Sequence, residues 1–249
     1  MREQSEKPKA PIPLHWWRLK RSVGRRWREW RLPSGYERLG TRYGGWWLYA
    51  PAVGKDPLLV DCGLGVDISF PAAFLVRFGG RVIGIDPNPA AIEYSIANAP
   101  RGMEVRQRAF WHEAGRELEF HLPRPPEELP KGADGVSGSL LASHSYAGRK
   151  VAVRTTSFAE VLASAGRPEC DLLKLDVEGA EYEVLEALCR TGEVRLARQL
   201  LVEFHHHCTD RTLQDTLDTI ARVRASGFVQ SHTEDRNVAF LRSDLARAA

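Results

Sequence analysis

The sequence contains little cysteine, no long apolar run and almost no net charge. Its four cysteines (Cys62, Cys170, Cys189 and Cys208) are scattered and form no C-x-x-C pair, so neither a zinc module nor a disulfide framework is expected. No apolar run approaches the ~20 residues that span a bilayer, and the N-terminus lacks the apolar core of a secretory signal. We therefore expect a cytoplasmic protein. The formal net charge of +3 is too small to indicate nucleic acid as a partner.

The length and composition favour one α/β domain with short additions. The chain has 249 residues, of which 43% are hydrophobic and 27% charged, and a chain of this size can bury a substantial core. We expect three segments: an N-terminal arm over residues 1–35, a lead-in over residues 36–56 and the main domain over residues 57–249. Within the main domain, residues 123–150 are rich in proline and glycine, which predicts a loop insertion.

The N-terminal arm is strongly basic and rich in tryptophan. Residues 1–31 hold ten Lys or Arg residues against three Glu. Apolar side chains recur there every three or four residues, at Trp16, Leu19, Val23, Trp27 and Trp30. This pattern predicts an amphipathic basic helix. Two interpretations stay open: packing of the tryptophan face on the domain or on a second subunit of a homo-oligomer, and binding at the inner surface of a membrane. Nucleic acid is disfavoured, because no nucleic-acid module follows.

A short predicted apolar strand ends in a glycine-rich turn. The turn reads Asp61-x-Gly63-x-Gly65-x-Asp67, and Asp86 closes the next predicted strand. Glycines let a ligand approach the backbone, and an acid about 20 residues downstream can accept hydrogen bonds from ribose hydroxyls. The dinucleotide fingerprint is incomplete, and the aspartates of the turn would repel a pyrophosphate, so a nicotinamide oxidoreductase is disfavoured. A cationic cofactor, S-adenosylmethionine, suits these residues better.

A second strand–turn–helix unit is predicted over residues 170–188. Its strand is an apolar run that contains one charged residue, Lys174, and Asp176 and Glu178 follow where the strand stops. Ligands of open α/β sheets bind at the carboxyl ends of the strands. Asp176 is therefore predicted to be functional. A buried lysine needs a partner, and we expect Lys174 to form an ion pair that supports the sheet.

The insertion over residues 123–150 is a candidate for substrate contact. Loops this long in compact domains are usually functional or disordered. We expect a lid or an acceptor-binding loop, ordered near residues 135–141, with His144 and Tyr146 available to a polyhydroxylated substrate. A plain surface excursion is the alternative.

Four stretches resemble the FkbM-type methyltransferases: VDCGLG (60–65), GIDPNP (84–89), LLKLDVEGAEY (172–182) and LVEFH (201–205). The resemblance implies a class I S-adenosylmethionine-dependent fold, a Rossmann-like three-layer α/β sandwich. Its mostly parallel seven-stranded sheet would have the order 3-2-1-4-5-7-6, with strand 7 antiparallel. The implied activity is O-methylation of a hydroxyl on a sugar, a glycan or a natural product.

The same resemblance implies roles for individual residues. The implied cofactor contacts are Asp61, Gly63 and Gly65 at the methionine end, Asp86 at the ribose, and Ala109 and Phe110 at the adenine. Ordinary core packing is the alternative for Phe110. Family members generally carry glycine where Asp67 stands. The implied strand order also places Glu203 beside Lys174, so Lys174–Glu203 is the expected ion pair.

Methyl transfer to a sugar hydroxyl needs help with the proton, because such a hydroxyl is a poor nucleophile near neutral pH. Two mechanisms fit the residues. In the first, His205 or His144 is the general base, and Asp176 or Glu178 orients it or the acceptor. In the second, Asp176 and Glu203, with His205 as an optional third ligand, bind a divalent metal, Mg or Mn, which lowers the pKa of the hydroxyl. The metal-free mechanism is preferred, because Glu203 is the expected partner of the buried lysine.

Two other functions stay open. One is an N-methyltransferase acting on an amine or a peptide. The other is a non-catalytic interaction module with the same fold, which Asp67 at the glycine turn would support. Zinc at the histidine run 205–207 is disfavoured, because successive strand residues point to opposite faces.

Overall fold

A seven-stranded sheet organises the computed structural model, which describes residues 34–131 and 135–246. The main compact unit begins at Glu37. The predicted basic arm falls almost entirely on residues outside the described part, so both interpretations of it stay predictions. Within the described part, no helix is long and apolar enough to cross a membrane.

The described residues form twelve strands and six α-helices. The strands are β1 (Tyr36–Leu39), β2 (Trp46–Tyr49), β3 (Leu58–Cys62), β4 (Arg81–Asp86), β5 (Met103–Gln107), β6 (Ala109–Phe110), β7 (Glu117–Pro123), β8 (Ala147–Thr156), β9 (Cys170–Leu175), β10 (Ala197–Glu203), β11 (Phe228–Glu234) and β12 (Asn237–Arg242). The helices are α1 (Ser69–Phe78), α2 (Pro89–Asn98), α3 (Phe158–Ala165), α4 (Glu181–Thr191), α5 (Leu213–Ala225) and α6 (Ser243–Ala246).

The main sheet has the strand order predicted for a class I methyltransferase. From one edge to the other the order is β5-β4-β3-β9-β10-β12-β11, which is 3-2-1-4-5-7-6 when the seven strands are numbered along the chain. Strands β3, β4, β5, β9 and β10 run parallel, and β12 pairs antiparallel with β10. The predicted α/β class and the predicted topology are confirmed.

Alternate residues of the central strands supply two cores, one on each face of the sheet. Val60 and Leu173 join the larger core, together with Phe158 of α3. Leu59 and Leu172 join the second core, together with the aromatic side chains of α1. Strands β3 and β9 are buried over their full length, as expected for strands that are covered on both faces. Helices on both sides of the sheet give the three layers that were expected.

A small second sheet flanks the insertion. Strand β7 pairs antiparallel with β8, and β6 completes a small three-stranded sheet. Strand β7 was not predicted, and β8 begins three residues before the predicted end of the insertion. The irregular part is therefore the loop between β7 and β8, of which residues 132–134 lie outside the described part.

Helix α5 buries only part of its apolar face. The helical spacing of Leu213, Leu217, Ile220 and Val223 predicts one buried face, but Leu213 and Leu217 are 59% and 51% exposed. The buried residues are Thr216, Thr219 and Val223. The hydroxyl of Thr216 makes hydrogen bonds with neighbouring elements, including one of 2.9 Å to the Tyr182 hydroxyl, so a polar side chain can occupy this buried position.

Asp67, the departure from the family's glycine, stabilises the start of helix α1. Its carboxylate accepts hydrogen bonds from the Ser69 amide (2.8 Å) and from the Thr41 hydroxyl (2.5 Å). Burial alone would raise the pKa of Asp67, but these hydrogen bonds hold it below its usual value. Because the carboxylate is engaged by the lead-in and the helix, Asp67 does not argue for a non-catalytic module.

Candidate active site

The carboxyl ends of four adjacent parallel strands bring acidic side chains to one edge of the sheet. Asp61 lies in β3 and Asp86 at the end of β4, whereas Asp176 follows β9 and Glu203 ends β10. Because β4, β3, β9 and β10 are neighbours in the sheet, these acids lie along one cleft edge. This is the position at which open α/β sheets bind ligands.

Lys174 forms its ion pair with Asp61, not with Glu203 as expected. Its Nζ lies 3.0 Å from Asp61 Oδ1 and 3.5 Å from Asp176 Oδ2, and it donates a 2.7 Å hydrogen bond to the carbonyl of Gly63. The register explains the error, because Lys174 pairs with Asp61 on β3 and with Leu201 on β10. Burial alone would lower the pKa of Lys174, but the two aspartates raise it above its usual value.

Replacing Lys174 with methionine should destabilise the fold by about 3–5 kcal/mol, because Asp61 would stay buried without its partner. Urea denaturation of the purified variant measures this loss. The matched control is Lys150→Met, since Lys150 forms an exposed ion pair with Glu119 and exposed pairs contribute little. Equal losses in the two variants would show that the buried pair has no special weight.

The glycine turn after β3 is fixed against the exit of β9. Gly63 has φ +88°, and a Cβ at this position would lie 1.7 Å from the carbonyl oxygen of Asp176. The Asp176 amide donates to the carbonyl of Cys62, and the Gly63 amide donates to that of Ile85. The Asp61 side chain is buried. It is linked to the turn through Lys174, which binds both its carboxylate and the Gly63 carbonyl. The turn backbone, more than the Asp61 carboxylate, therefore faces the cleft.

Asp86 binds the same turn from the neighbouring strand. Its Oδ2 accepts hydrogen bonds from the amides of Leu64 (2.8 Å) and Gly65 (3.2 Å), and its Oδ1 accepts one from the amide of Asn88 (2.8 Å). A carboxylate oxygen has two lone pairs, so Oδ1 can accept a further bond. Burial raises the pKa of Asp86 to about 6, against the effect of these amides.

The two residues implied for the adenine form strand β6 and are both buried. The Phe110 ring joins the larger core and packs edge-on against Phe158, with 6.4 Å between the ring centroids. The Phe110 ring is therefore part of the core, which was the alternative to an adenine contact. Contact of Ala109 or Phe110 with an adenine stays a prediction.

Glu181 holds His205 in place, a role that sequence reasoning missed. Strand β10 ends at Glu203, so His205 lies beyond the strand, in contrast to the expectation. The Glu181 side chain is fully buried; its Oε2 accepts the Gly179 amide (2.8 Å), and its Oε1 accepts the His205 amide (2.8 Å) and lies 3.2 Å from His205 Nδ1. A glutamate that begins a helix resembles a solvated residue in the sequence, and only its burial reveals the contact.

The other nitrogen of His205 faces two carboxylates. Nε2 lies 3.6 Å from Asp176 Oδ1 and 3.4 Å from Glu178 Oε2. Burial alone would lower the pKa of His205, but Glu181, Glu178 and Asp176 raise it to about 10. An imidazolium cannot accept a proton, so these charges favour Asp176 over His205 as the general base. The Asp176 side chain is 28% exposed and can be reached from the cleft.

Glu178 is held in a conformation that is unusual for a non-glycine residue. Its φ is +52°, in the left-handed region, and such outliers often occur at functional sites. Ser139 of the insertion donates a 2.6 Å hydrogen bond to its carbonyl, and His144 Nε2 lies 3.0 Å from its Oε2. Burial would raise the pKa of Glu178, but His205 and His144 lower it to about 2.

His144 joins the site as a partner of Glu178 and is not open to substrate as expected. It is 3% exposed. The Tyr146 amide donates to its Nδ1 (3.2 Å), so neutral His144 carries its proton on Nε2 and donates it to Glu178. Both ring nitrogens are engaged, and His144 is therefore a poor candidate for the general base.

Glu203 is the remaining residue that the sequence predicted as a metal ligand. It pairs with Arg236 at 3.2 Å, and burial together with Asp176 raises its pKa to about 7. Among the described residues, two groups bring potential metal ligands within 4.8 Å of one another: Asp176, Glu178 and His205, and His144, Glu178 and Cys208. Neither group contains Glu203.

Comparisons with known proteins give the chain a family. A family model for the methyltransferase FkbM domain matches residues 61–229. Similar solved structures include the METTL16 MTase domain (10% identity, TM-score 0.41, 75% of this chain and 59% of that chain covered) and the Methanococcus jannaschii fibrillarin pre-rRNA processing protein (13%, 0.41, 77% and 67%). Another is a TehB-like SAM-dependent methyltransferase from Corynebacterium glutamicum (11%, 0.36, 90% and 98%). The chain thus spans less than two thirds of the first of these structures. No curated protein matches the chain significantly.

Proposed function

The chain belongs to the methyltransferase FkbM family, and on that premise we propose that it transfers a methyl group from S-adenosyl-L-methionine to a hydroxyl of a sugar, a glycan or a natural product. The observation that carries the proposal is the juxtaposition of two sites at one sheet edge. Gly63 of the cofactor turn packs directly on Asp176, and Asp176 lies beside Glu178 and His205. A methyl donor bound at this turn would therefore lie close to a group that can accept a proton.

The cofactor half of the site is the glycine turn with Asp86. Gly65 leaves the turn open, because a Cβ there would meet no atom nearer than Val136 Cγ2 at 4.0 Å, so a ligand can approach the backbone closely at this position. Asp86 keeps one lone pair for a ribose hydroxyl, while its other bonds fix the turn. S-adenosylmethionine suits this site because it carries ribose hydroxyls and no phosphate.

The acceptor half consists of Asp176 and the insertion loop above it. The acceptor oxygen attacks the methyl carbon in line with the sulfur, the carbon–sulfur bond breaks, and the hydroxyl proton passes to the Asp176 carboxylate. Alignment of the two reactants supplies much of the rate enhancement. Val136 lies close to the turn, with its carbonyl bound by Asn88 Nδ2 at 2.7 Å, and this contact supports an acceptor-binding role for the loop.

Calorimetry with S-adenosylmethionine, followed by transfer of a labelled methyl group to panels of sugars, glycans and natural products, tests the proposal. We expect cofactor binding and labelling of a hydroxyl. Failure to bind the cofactor would favour a non-catalytic module. Labelling of nitrogen would favour the alternative N-methyltransferase, which the carboxylates of the acceptor half also suit, because they attract a protonated amine.

Binding of S-adenosylmethionine should weaken as the pH falls through about 6. The pKa of Asp86 is raised to about 6 by burial, so the carboxylate that accepts the amide and ribose hydrogen bonds is present above this pH and lost below it. At pH 5 about a tenth of the carboxylate remains ionised, so the dissociation constant should rise about tenfold from its value at pH 8. Titration calorimetry at both values measures the change. The Asp86→Asn variant should bind weakly with no such slope, and a slope equal to the parent's would assign the effect to another group.

A further inference from the structure

The acceptor half of the site brings one histidine nitrogen close to two carboxylate oxygens. Nε2 of His205 is 3.6 Å from Asp176 Oδ1 and 3.4 Å from Glu178 Oε2. Both distances exceed the usual 2.7–3.2 Å of a hydrogen bond (about 2.9 Å is typical), so a proton on Nε2 would make only weak contacts. The His205 side chain is 4% exposed. A buried nitrogen thus points into a space between two carboxylates without reaching either.

The other side of the His205 ring fixes which nitrogen points into that space. Both oxygens of Glu181 accept hydrogen bonds from backbone amides, those of Gly179 and His205, so His205 Nδ1 is the donor in its contact with this side chain. A carboxylate that holds one ring nitrogen and leaves the other for a ligand is the arrangement found behind metal-bound histidines. Nε2 therefore points to the centre of the group, where a bound metal ion would take the place of its proton.

We propose that Asp176, Glu178 and His205 form a binding site for one divalent transition-metal ion, with Mn²⁺ as the ion that fits it best. One ligand atom from each residue lies within 4.8 Å of those of the other two. With two edges of 3.4 and 3.6 Å, a point equidistant from the three atoms lies about 2.0–2.4 Å from each, which is the range of metal–ligand bonds. Two carboxylates and one imidazole combine the ligand types that suit Mn²⁺ and its neighbours.

The geometry favours this group over the two other combinations. His144 Nε2 makes a 3.0 Å hydrogen bond with Glu178, and its Nδ1 accepts the Tyr146 amide, so both of its nitrogens are engaged. Cys208 Sγ donates to the His205 carbonyl. The Asp176–Glu203 pair expected from the sequence is disfavoured, because Glu203 binds Arg236 and lies outside both metal-capable groups of the described residues.

The role of the ion rests on the proposed function. Asp176 is adjacent to the cofactor turn, so an ion at this position would lie beside the acceptor hydroxyl and stabilise the oxygen as it loses its proton. Glu181 would then be a positioning residue, since it touches His205 and not the reacting atoms. Binding of the ion itself needs neither cofactor nor acceptor.

Titration of the chelator-treated full chain with Mn²⁺, followed by the electron paramagnetic resonance signal of the free ion, tests the site. We expect one ion per chain. Asp176→Asn should abolish saturable binding, and Glu181→Gln should weaken it about 10–100-fold. His207→Ala, in the exposed histidine next to the site, and Glu203→Gln should bind Mn²⁺ as the parent does.

Three results would overturn the inference: no binding by the parent, unchanged affinity in Asp176→Asn, or loss of binding in Glu203→Gln. His205→Ala should also lose the ion, but it leaves Glu181 without a partner, so Asp176→Asn is the primary variant. Calorimetry with S-adenosylmethionine on the same samples separates the two proposals. Cofactor binding without Mn²⁺ binding removes the metal site alone, and Mn²⁺ binding without cofactor binding removes the methyltransferase function alone.

Discussion

The Gly63→Ala variant should lose more than about 4 kcal/mol of folding free energy, a size reached only when a substitution creates a severe clash or an unpaired buried charge. The added Cβ would lie 1.7 Å from the Asp176 carbonyl oxygen, so the turn and the exit of β9 cannot both keep their positions. The positive φ of Gly63 adds about 1–2 kcal/mol. Urea denaturation gives the loss of stability where the variant folds, and circular dichroism shows whether it folds.

Gly166→Ala provides the matched control for this prediction. Gly166 ends helix α3 with φ +65° and ψ 33°, and a Cβ there would meet no atom within 4 Å. Only the conformational cost of about 1–2 kcal/mol is expected. If both alanine variants were equally stable, the contact between the cofactor turn and Asp176 would be looser than the structure shows.

The Asp176→Asn variant should lower kcat by about 10²–10⁴-fold, the range for loss of a group that accepts a proton in the transition state. The change is isosteric, and Lys174 keeps its shorter ion pair with Asp61, so the fold should persist. Cofactor affinity should change little, because Asp86 and the turn amides are untouched. Initial rates of methyl transfer, with calorimetry for the cofactor, separate the two effects.

Asp218→Asn, in an exposed residue of helix α5, controls for the change of charge alone and should retain the parent rate. Parental turnover in Asp176→Asn would remove Asp176 from the path of the proton. A fall in activity that followed a fall in thermal stability would assign the effect to folding and not to chemistry.

The fold was predictable because its signals are local. The apolar runs of β3 and β9, the glycine turn and the acids at strand ends are each contained in a few consecutive residues. The resemblance added the strand order, which the sheet confirms. The positions of Asp61, Asp86 and Asp176 at one sheet edge follow from that order.

The contacts between elements were not predictable, because they depend on register and rotation. The sequence predicted that Lys174 would lie beside Glu203. In the sheet it lies opposite Leu201, two residues before Glu203 on β10. In helix α5, Leu213 is exposed to solvent and Thr216 is buried. Glu181 resembles a solvated residue at a helix start until its burial is known.

The donor and acceptor halves of the site come from separate stretches of the chain. The turn and Asp86 precede the insertion, whereas the loop with Ser139 and His144 reaches Glu178 through hydrogen bonds to its backbone and side chain. If the loop binds the acceptor, as proposed, substitutions at its contacts with Glu178 should change acceptor choice more than cofactor affinity. Positions next to Val136 are the exception, because that residue also lies against the glycine turn and Asn88.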